Sequence, residues 1–163
     1  MKKILMILGF LVTIVLASCD KDYNEFYSDN KPEIPVTFPG ATTHGFNPYK
    51  SISLSGDGKI EFVLSIPENS GRTIKEITTI VGGATGIQAG NLRNASVAKY
   101  ISSPIPGNGS NVTFTTTFEE FASKSEANAA LIKVGGELAF MFLIKLDNDQ
   151  EIIPVQVRVR ITE

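Results

Sequence analysis

The chain has 163 residues, a formal net charge of −2, one cysteine and one histidine. A single cysteine excludes an intrachain disulfide, and one cysteine with one histidine cannot supply the ligands of a structural zinc site. The slightly acidic balance argues against nucleic-acid binding, which favours a basic face. The length suits one domain that is stabilised by the packing of its core alone.

The first nineteen residues have the pattern of an exported chain. A basic start at residues 1–3 precedes an apolar run over residues 4–16, which would span only about 20 Å as a helix. This is shorter than the roughly 30 Å hydrocarbon core of a bilayer, so the pattern predicts a secretory signal peptide and not a spanning helix. The run ends in Leu16-Ala17-Ser18-Cys19, where a branched apolar residue and two small residues precede the cysteine.

This tetrapeptide resembles the bacterial lipoprotein box. The resemblance implies that the Cys19 thiol receives a diacylglyceryl group and that the signal is cleaved between Ser18 and Cys19. The new amino terminus can then be acylated as well, and two or more acyl chains hold a protein stably on a membrane. The predicted partner is therefore a membrane, reached through the lipid on Cys19. An ordinary signal peptide with a coincidental cysteine is the alternative.

Residues 20–35 are polar, acidic and without periodicity, which predicts a solvated tether between the lipid and a folded domain. The acidic residues after Cys19 resemble the export signal of surface lipoproteins in Bacteroidota-type bacteria. Asp20 directly after the cysteine can instead mark inner-membrane retention in proteobacteria, and a plain hydrophilic spacer is a third interpretation. The predicted organisation is a signal peptide at 1–18, a lipidated tether at 19–35 and a domain at 36–163. The predicted location is the cell envelope, with the outer membrane favoured and the face left open.

The first half of the domain is predicted to form strands separated by turns. A short strand is expected at 36–38, and a hairpin at 51–55 and 59–66 around the turn Gly56-Asp57-Gly58, because Asp-Gly suits tight hairpins. Residues 73–81 are rich in β-branched side chains, which predicts a strand, and a bulge would account for their three-residue apolar spacing. A helix is the weaker alternative. The glycine-rich stretch 82–86 lacks the Lys-Ser/Thr pair of a phosphate loop and is interpreted as a loop. A further short strand is expected at 97–101.

The second half carries stronger patterns. Residues 111–118 alternate between apolar and threonine side chains. Thr117 with Glu120 fits a capping box, which predicts a short helix over 118–125, with continuation through Ala130 as the alternative. Residues 137–146 are apolar on both faces, which predicts a central strand or one covered on its back. Residues 150–161 are expected to complete a long hairpin with Ile153, Val155, Val157, Val159 and Ile161 inward and with Gln156, Arg158 and Arg160 outward. Pro154 indicates an edge position or a bulge.

Seven or eight short strands with one short helix before the final hairpin predict an all-β fold, an antiparallel β-sandwich. The strand succession and the helix-containing crossover are similar to an immunoglobulin-like domain of bacterial surface lipoproteins. That resemblance covers residues 36–163 and is architectural, since neither a core tryptophan nor a cysteine pair is present. Fold alone does not define function.

The sequence contains few candidate catalytic or metal-binding residues. His44 is the single histidine, and no nucleophile motif accompanies it, so we interpret it as a loop residue and expect no catalytic residue and no cofactor. Asp147, Asp149 and Glu151 supply hard oxygen ligands that calcium would accept, but their spacing differs from the twelve-residue calcium loop. A polar hairpin turn explains these three residues equally well.

Candidate residues for binding a sugar or an anionic partner are easier to name than catalytic ones. Sugar-binding sites use exposed aromatic rings, and Tyr49 and Tyr100 are the tyrosines outside the tether, so a ligand-binding face is expected at one of them. The outward Arg158 and Arg160, with Lys145 beside them, could bind an anionic partner or could form a solvated strand face that discourages edge pairing.

These observations predict a membrane-anchored envelope lipoprotein that acts as a non-enzymatic binding or accessory module. Its partner would be another envelope protein or a glycan. The first alternative is a glycan-binding lipoprotein of an outer-membrane nutrient-uptake system. The second alternative is a small envelope hydrolase.

Overall fold

The computed structural model describes residues 33–43 and 47–163, which are built mainly from β-strands. The strands are β1 (Tyr49–Ser53), β2 (Lys59–Ser65), β3 (Ile74–Gly83), β4 (Ile105–Pro106), β5 (Asn111–Thr117), β6 (Glu137–Leu146), β7 (Glu151–Ile152) and β8 (Val157–Thr162). The helices are α1 (Gly90–Arg93), α2 (Phe118–Ser123) and α3 (Glu126–Ala129). Within the described ranges no helix is long and apolar enough to cross a membrane.

Strand β6 forms the centre of the larger sheet. The strand order is β1-β8-β6-β3-β4, and the short β7 also pairs with β6. One face of β6 buries alternate residues such as Phe140 and Phe142 in the main core, because that face is apolar along the whole strand. On the other face Met141 and Leu143 contact a second apolar cluster that includes Leu92 of α1. The prediction that both faces of this strand are covered is confirmed.

The smaller sheet packs against β6 and completes a sandwich. Strands β2 and β5 pair antiparallel, and their inward residues are buried while the residues between them face outward. Phe114 of β5 lies with its ring centroid 5.2 Å from that of Phe140 and 5.5 Å from that of Phe142. The two sheets therefore meet through an aromatic layer, and the predicted all-β sandwich is confirmed.

The strand order identifies the kind of sandwich. Neighbours β8-β6-β3 in one sheet and β2-β5 in the other match an immunoglobulin-like arrangement, in which strands C, F and G share one sheet and B and E the other. Thr37 forms an isolated bridge with Ser65 of β2 and takes the place of the first strand. Ile34 is 8% exposed and belongs to the core cluster, so ordered packing begins before Val36. The protein is an immunoglobulin-like β-sandwich.

The hairpin predicted around Gly56-Asp57-Gly58 is wrong, and the sheet is not uniformly antiparallel. The turn forms locally, with Gly58 at a φ of 66° and the amide of Lys59 donating to Asp57 Oδ1 at 3.0 Å. However, β1 pairs parallel to β8, whereas β2 pairs with β5. The turn thus carries the chain from one sheet to the other, because turn chemistry specifies the reversal but not the strand that each arm will join.

Strand β3 contains the predicted irregularity. Its pairing with β6 shifts register between Ile74 and Glu76 and again between Ile77 and Thr79, which confirms the bulge. The strand continues through Gly82 and Gly83, two residues that we had expected in a loop.

The strand expected at 97–101 is wrong, because Tyr100 lies in a loop and turns its ring into the core. A Cβ on Gly82 would lie 2.8 Å from Cδ2 of that ring, so the close approach requires glycine.

The helical crossover follows its capping signal. The Thr117 hydroxyl accepts a hydrogen bond from the Glu120 amide at 3.1 Å and begins α2, which confirms the N-cap half of the capping box. The Glu120 carboxylate accepts from the Thr116 hydroxyl at 2.9 Å. The expected single helix is divided in two, because Ser125 adopts an extended conformation and caps α3 by accepting from the Asn128 amide.

The closing hairpin also departs from prediction in one place. Pro154 lies in the break between β7 and β8, and the alternation changes phase there. Val155 is 53% exposed and Ile153 packs against the second apolar cluster, so both lie opposite to their predicted inward orientation. The reason is that proline has no amide to donate to the ladder, so the strand breaks and resumes at Val157 in a new phase. Gln156 faces outward as predicted, but it is buried because it donates to two carbonyl oxygens in the loop that covers it.

Candidate ligand-binding surface

The outer face of the larger sheet has a covered part and a polar part. The covered part is the second apolar cluster, where the segment that contains α1 lies over β3 and β6. The polar part, which we call the Arg160 surface, consists of Tyr49, Glu137, Gln156, Arg158 and Arg160.

Strand register brings the Arg160 surface together. Tyr49 of β1 lies opposite Arg158 of β8 in the parallel pair, and Glu137 of β6 lies opposite Arg160 in the antiparallel pair. Residues two apart along a strand share a face, so Arg158 and Arg160 project on the same side. Strands β6 and β8 and the much earlier β1 therefore place one aromatic ring, two guanidinium groups and one carboxylate side by side.

Arg160 is fixed between an aromatic ring and a carboxylate. Its Cζ lies 3.8 Å from the ring centroid of Tyr49, and its Nε donates to Glu137 Oε1 at 2.8 Å. A guanidinium stacked on an aromatic ring gains from the quadrupole of the ring while keeping its edge available for hydrogen bonds. The terminal nitrogens of Arg160 donate no hydrogen bond to any residue that the structure describes.

Arg158 is more restrained than Arg160. Its Nε donates to Gln156 Oε1 at 2.8 Å, and its Nη1 lies 3.5 Å from Glu137 Oε2. Gln156 is in turn fixed by donating to the carbonyl oxygens of Thr85 and Ile87, both at 3.1 Å. These contacts tie the Arg160 surface to the loop that borders it and limit the rotation of Arg158.

The electrostatics of this surface favour an anion. Two guanidinium groups share the single carboxylate of Glu137, which leaves one formal positive charge in excess. Arg160 remains 46% exposed, whereas Arg158 is 26% exposed. An arginine edge recognises carboxylate, sulfate or phosphate oxygens with two parallel hydrogen bonds. The surface can therefore bind an acidic group at Arg160 and stack an apolar or sugar face beside Tyr49.

Lys145 does not lie beside these arginines, as we had expected. It is eight residues from Glu137 along β6, which corresponds to about 27 Å of extended strand. Its register partners are Glu76 of β3 and Glu151 of β7. The predicted basic group therefore consists of Arg158 and Arg160 without Lys145.

Tyr100 is a core residue, so its prediction as an exposed binding platform is wrong. It is 5% exposed, and its ring packs edge-on against Phe114 and Phe140. Its hydroxyl lies 2.6 Å from Thr116 Oγ1, and that hydroxyl donates to Glu120 Oε2 at 2.9 Å. Because the Thr116 proton is used by Glu120, the Tyr100 hydroxyl is the donor to Thr116.

Replacing Tyr100 with phenylalanine is expected to remove a pH dependence of stability. Burial raises the pKa of the Tyr100 hydroxyl to about 12, above its value of 10.0 in the unfolded chain. The unfolded chain releases the proton first, so stability falls as the pH rises through this range. From about pH 8 to about pH 11, the natural chain should lose about 1 kcal/mol relative to Tyr100→Phe in urea unfolding. If the free energies of unfolding of the two chains differed by the same amount at every pH, the raised pKa of Tyr100 would be contradicted.

The predicted calcium ligands are not gathered into a site. Asp149 Oδ1 pairs with Lys75 at 2.8 Å, and Glu151 Oε2 pairs with Arg93 at 2.9 Å. The hydrogen bond from Lys75 holds the pKa of Asp149 below its usual value. Among the described residues, no group of three acidic, histidine or cysteine side chains is close enough to bind a metal ion. The polar-turn interpretation of Asp147, Asp149 and Glu151 fits these contacts.

Several predicted residues lie outside the described ranges. These are Ser18 and Cys19 of the predicted lipoprotein box, and His44. Their predicted roles therefore stay predictions.

Sequence reasoning found the arginines and Tyr49 but missed the residues that organise them. The sequence predicts Glu137 only as the first residue of a strand, and it predicts Gln156 on the outer face with no partner. The sequence did contain a signal for Glu137. Arg158 and Arg160 are two residues apart on one strand face, and two cations so close together need a nearby carboxylate. The pairing of β1 with β8 was not predicted, so Tyr49 could not be placed beside Arg160.

Comparisons with known proteins add a distant structural similarity. No protein-family model matches the chain, and no curated protein sequence matches it. Among solved structures, fibronectin(III)-like modules of CbhA from Clostridium thermocellum match with 8% sequence identity and a TM-score of 0.37. The match covers 78% of this chain and 99% of that chain.

Proposed function

We propose that this chain is a lipid-anchored lipoprotein of the cell envelope whose β-sandwich is a non-enzymatic binding module. The observation that carries the binding proposal is the Arg160 guanidinium. It is stacked on Tyr49, fixed by Glu137 and half-exposed, and its terminal nitrogens donate to none of the residues that the structure describes. The anchor proposal is supported by Leu16-Ala17-Ser18-Cys19 at the end of a short apolar run.

The proposed ligand is an acidic glycan. A carboxylate or sulfate would accept two hydrogen bonds from the Arg160 edge, and the adjacent sugar ring would pack against Tyr49. A neutral sugar would use the tyrosine but would leave the excess positive charge of the surface unmatched. The charge of the surface therefore favours acidic over neutral sugars.

Replacing Arg160 with glutamine tests the proposal directly. A charge-assisted hydrogen-bond pair contributes about 1.5–3 kcal/mol, so Arg160→Gln should weaken binding of an acidic glycan about 10- to 100-fold. The measurement is a glycan array followed by calorimetry on the strongest acidic hit. Arg93→Gln is the matched control, because Arg93 is an exposed arginine paired with Glu151 elsewhere on the domain.

Two results would contradict the binding proposal. One is a ligand whose affinity is unchanged in Arg160→Gln, and the other is a set of hits restricted to neutral sugars. Turnover of an ester, peptide or glycoside by the purified chain would contradict the non-enzymatic part.

A second candidate function is that of a glycan-binding accessory lipoprotein beside an outer-membrane nutrient importer. It is favoured by the half-buried Tyr49 ring and by the acidic tether after Cys19, which resembles a surface-export signal. Protease treatment of intact cells distinguishes the locations. Cleavage of the domain on whole cells supports surface display, whereas protection until the outer membrane is opened supports a periplasmic face.

A further inference from the structure

Strand β5 has one edge without a partner in the described part of the chain. Its residues Val112, Phe114 and Thr116 face inward and bond to β2. Antiparallel strands direct successive backbone groups to opposite edges, so the amides and carbonyls of Thr113 and Thr115 point away from β2. Within the described ranges no residue donates to or accepts from these four groups. Asn111 confirms the phase, because its backbone pairs on that side with Asn108.

The other edge of the same sheet is protected. At β2, Thr37 pairs with Ser65, and the Lys50 ammonium donates to the Glu61 carbonyl at 2.7 Å. Lys59 and Glu61 add an ion pair on this strand. Charged side chains and covering contacts of this kind prevent edge-to-edge association.

Beyond the bridge between Asn108 and Asn111 at its start, the β5 edge carries no such protection within the described residues. Strand β5 has the sequence NVTFTTT, with neither charge nor proline, and its register with β2 runs without a shift. Its outward residues Asn111, Thr113, Thr115 and Thr117 are exposed and uncharged. Threonine is favoured in strands, and an unprotected edge of this composition is a template for a further strand. The contrast between the two edges indicates that the β5 edge is available for pairing with a further strand.

We propose that the β5 edge pairs antiparallel with the β5 edge of a second copy of this chain. A two-fold axis at Phe114 would place Thr113 opposite Thr115 of the second copy, and both threonines would exchange backbone hydrogen bonds. Threonine pairs across antiparallel strands are favourable, and the absence of charge removes repulsion between identical edges. A two-fold interface uses the same patch on both copies, so the patch must be complementary to itself. Strand β5 meets this requirement because its threonines pair with threonines of the second copy. The two small sheets would then join into one four-stranded sheet.

The test is the mass of the purified full chain in detergent micelles, measured by sedimentation across the micromolar range. We expect a dimer for the natural chain and a monomer for Thr113→Lys/Thr115→Lys, with self-association weakened at least about tenfold. Thr162→Lys is the matched control, because Thr162 is also an exposed strand threonine but its strand has β1 on one side and β6 on the other. This control should remain dimeric, and all variants should keep the urea midpoint of the natural chain at concentrations where that chain is monomeric, because dimerisation itself raises the midpoint.

Hydrogen exchange provides a measurement that needs no variant. In the dimer the amides of Thr113 and Thr115 should exchange slowly at high protein concentration and faster on dilution. A natural chain that is monomeric throughout the range would overturn the proposal, even if a different protein bound at β5. A dimer that persists in the double lysine variant would overturn it as well.

Discussion

Replacing Phe140 with alanine is expected to lower the free energy of unfolding by about 3–5 kcal/mol. Phe140 is fully buried, and its ring centroid lies 5.2 Å from Phe114, 5.4 Å from Tyr100 and 5.5 Å from Phe121. These neighbours come from the smaller sheet, the loop after β3 and helix α2. Truncation would therefore open a cavity at the point where three separate parts of the domain meet, and the surrounding rings could collapse into it only partly.

Urea unfolding of Phe140→Ala measures this loss. Val134→Ala is the matched control, because Val134 is 52% exposed and its truncation should change stability by no more than about 0.5 kcal/mol. A loss below about 1 kcal/mol for Phe140→Ala would show that the aromatic layer between the sheets is not the principal contact holding them together.

Sequence periodicity predicted the fold where local chemistry and tertiary pairing agree. Residues 111–117 alternate because one face lies on the core, and residues 137–146 are apolar on both faces because α1 and its flanking loops cover the back. The capping box at Thr117 requires only contacts within four residues. Such elements depend on their own sequence, so they were predicted close to their observed bounds.

The errors occurred where distant residues decide the structure. The turn at Gly58 forms as predicted, but the partner of β1 is a strand more than one hundred residues later in the chain. The same pairing creates the Arg160 surface, which is why the binding residues were predicted singly and not as a cluster. Tyr100 was placed on the surface because nothing in its neighbours reveals the space above Gly82 that receives its ring.

Replacing Cys19 with alanine is expected to release the protein from the membrane completely. In the proposed anchor, the thiol of Cys19 is the attachment point of the lipid, and alanine has no group that could replace it. The variant should carry an ordinary cleavable signal peptide in place of residues 1–18, since the apolar run at 4–16 would itself retain an uncleaved chain in the membrane. Cell fractionation should then recover the domain in the soluble envelope fraction.

Ser18→Ala is the matched control for this experiment. It keeps a small residue directly before the cysteine, so lipidation and membrane association should both persist. A Cys19→Ala chain that still sediments with membranes after cleavage of its signal would show that the domain or its tether binds the membrane by another route.

The mass of the mature chain extracted from membranes tests the proposed anchor most directly. Mass spectrometry of its amino-terminal fragment should show that the chain begins at Cys19 and that this residue carries a diacylglyceryl group, with or without a further acyl chain. An unmodified Cys19, or a chain that begins elsewhere, would contradict the proposal that this β-sandwich is displayed on a lipid anchor.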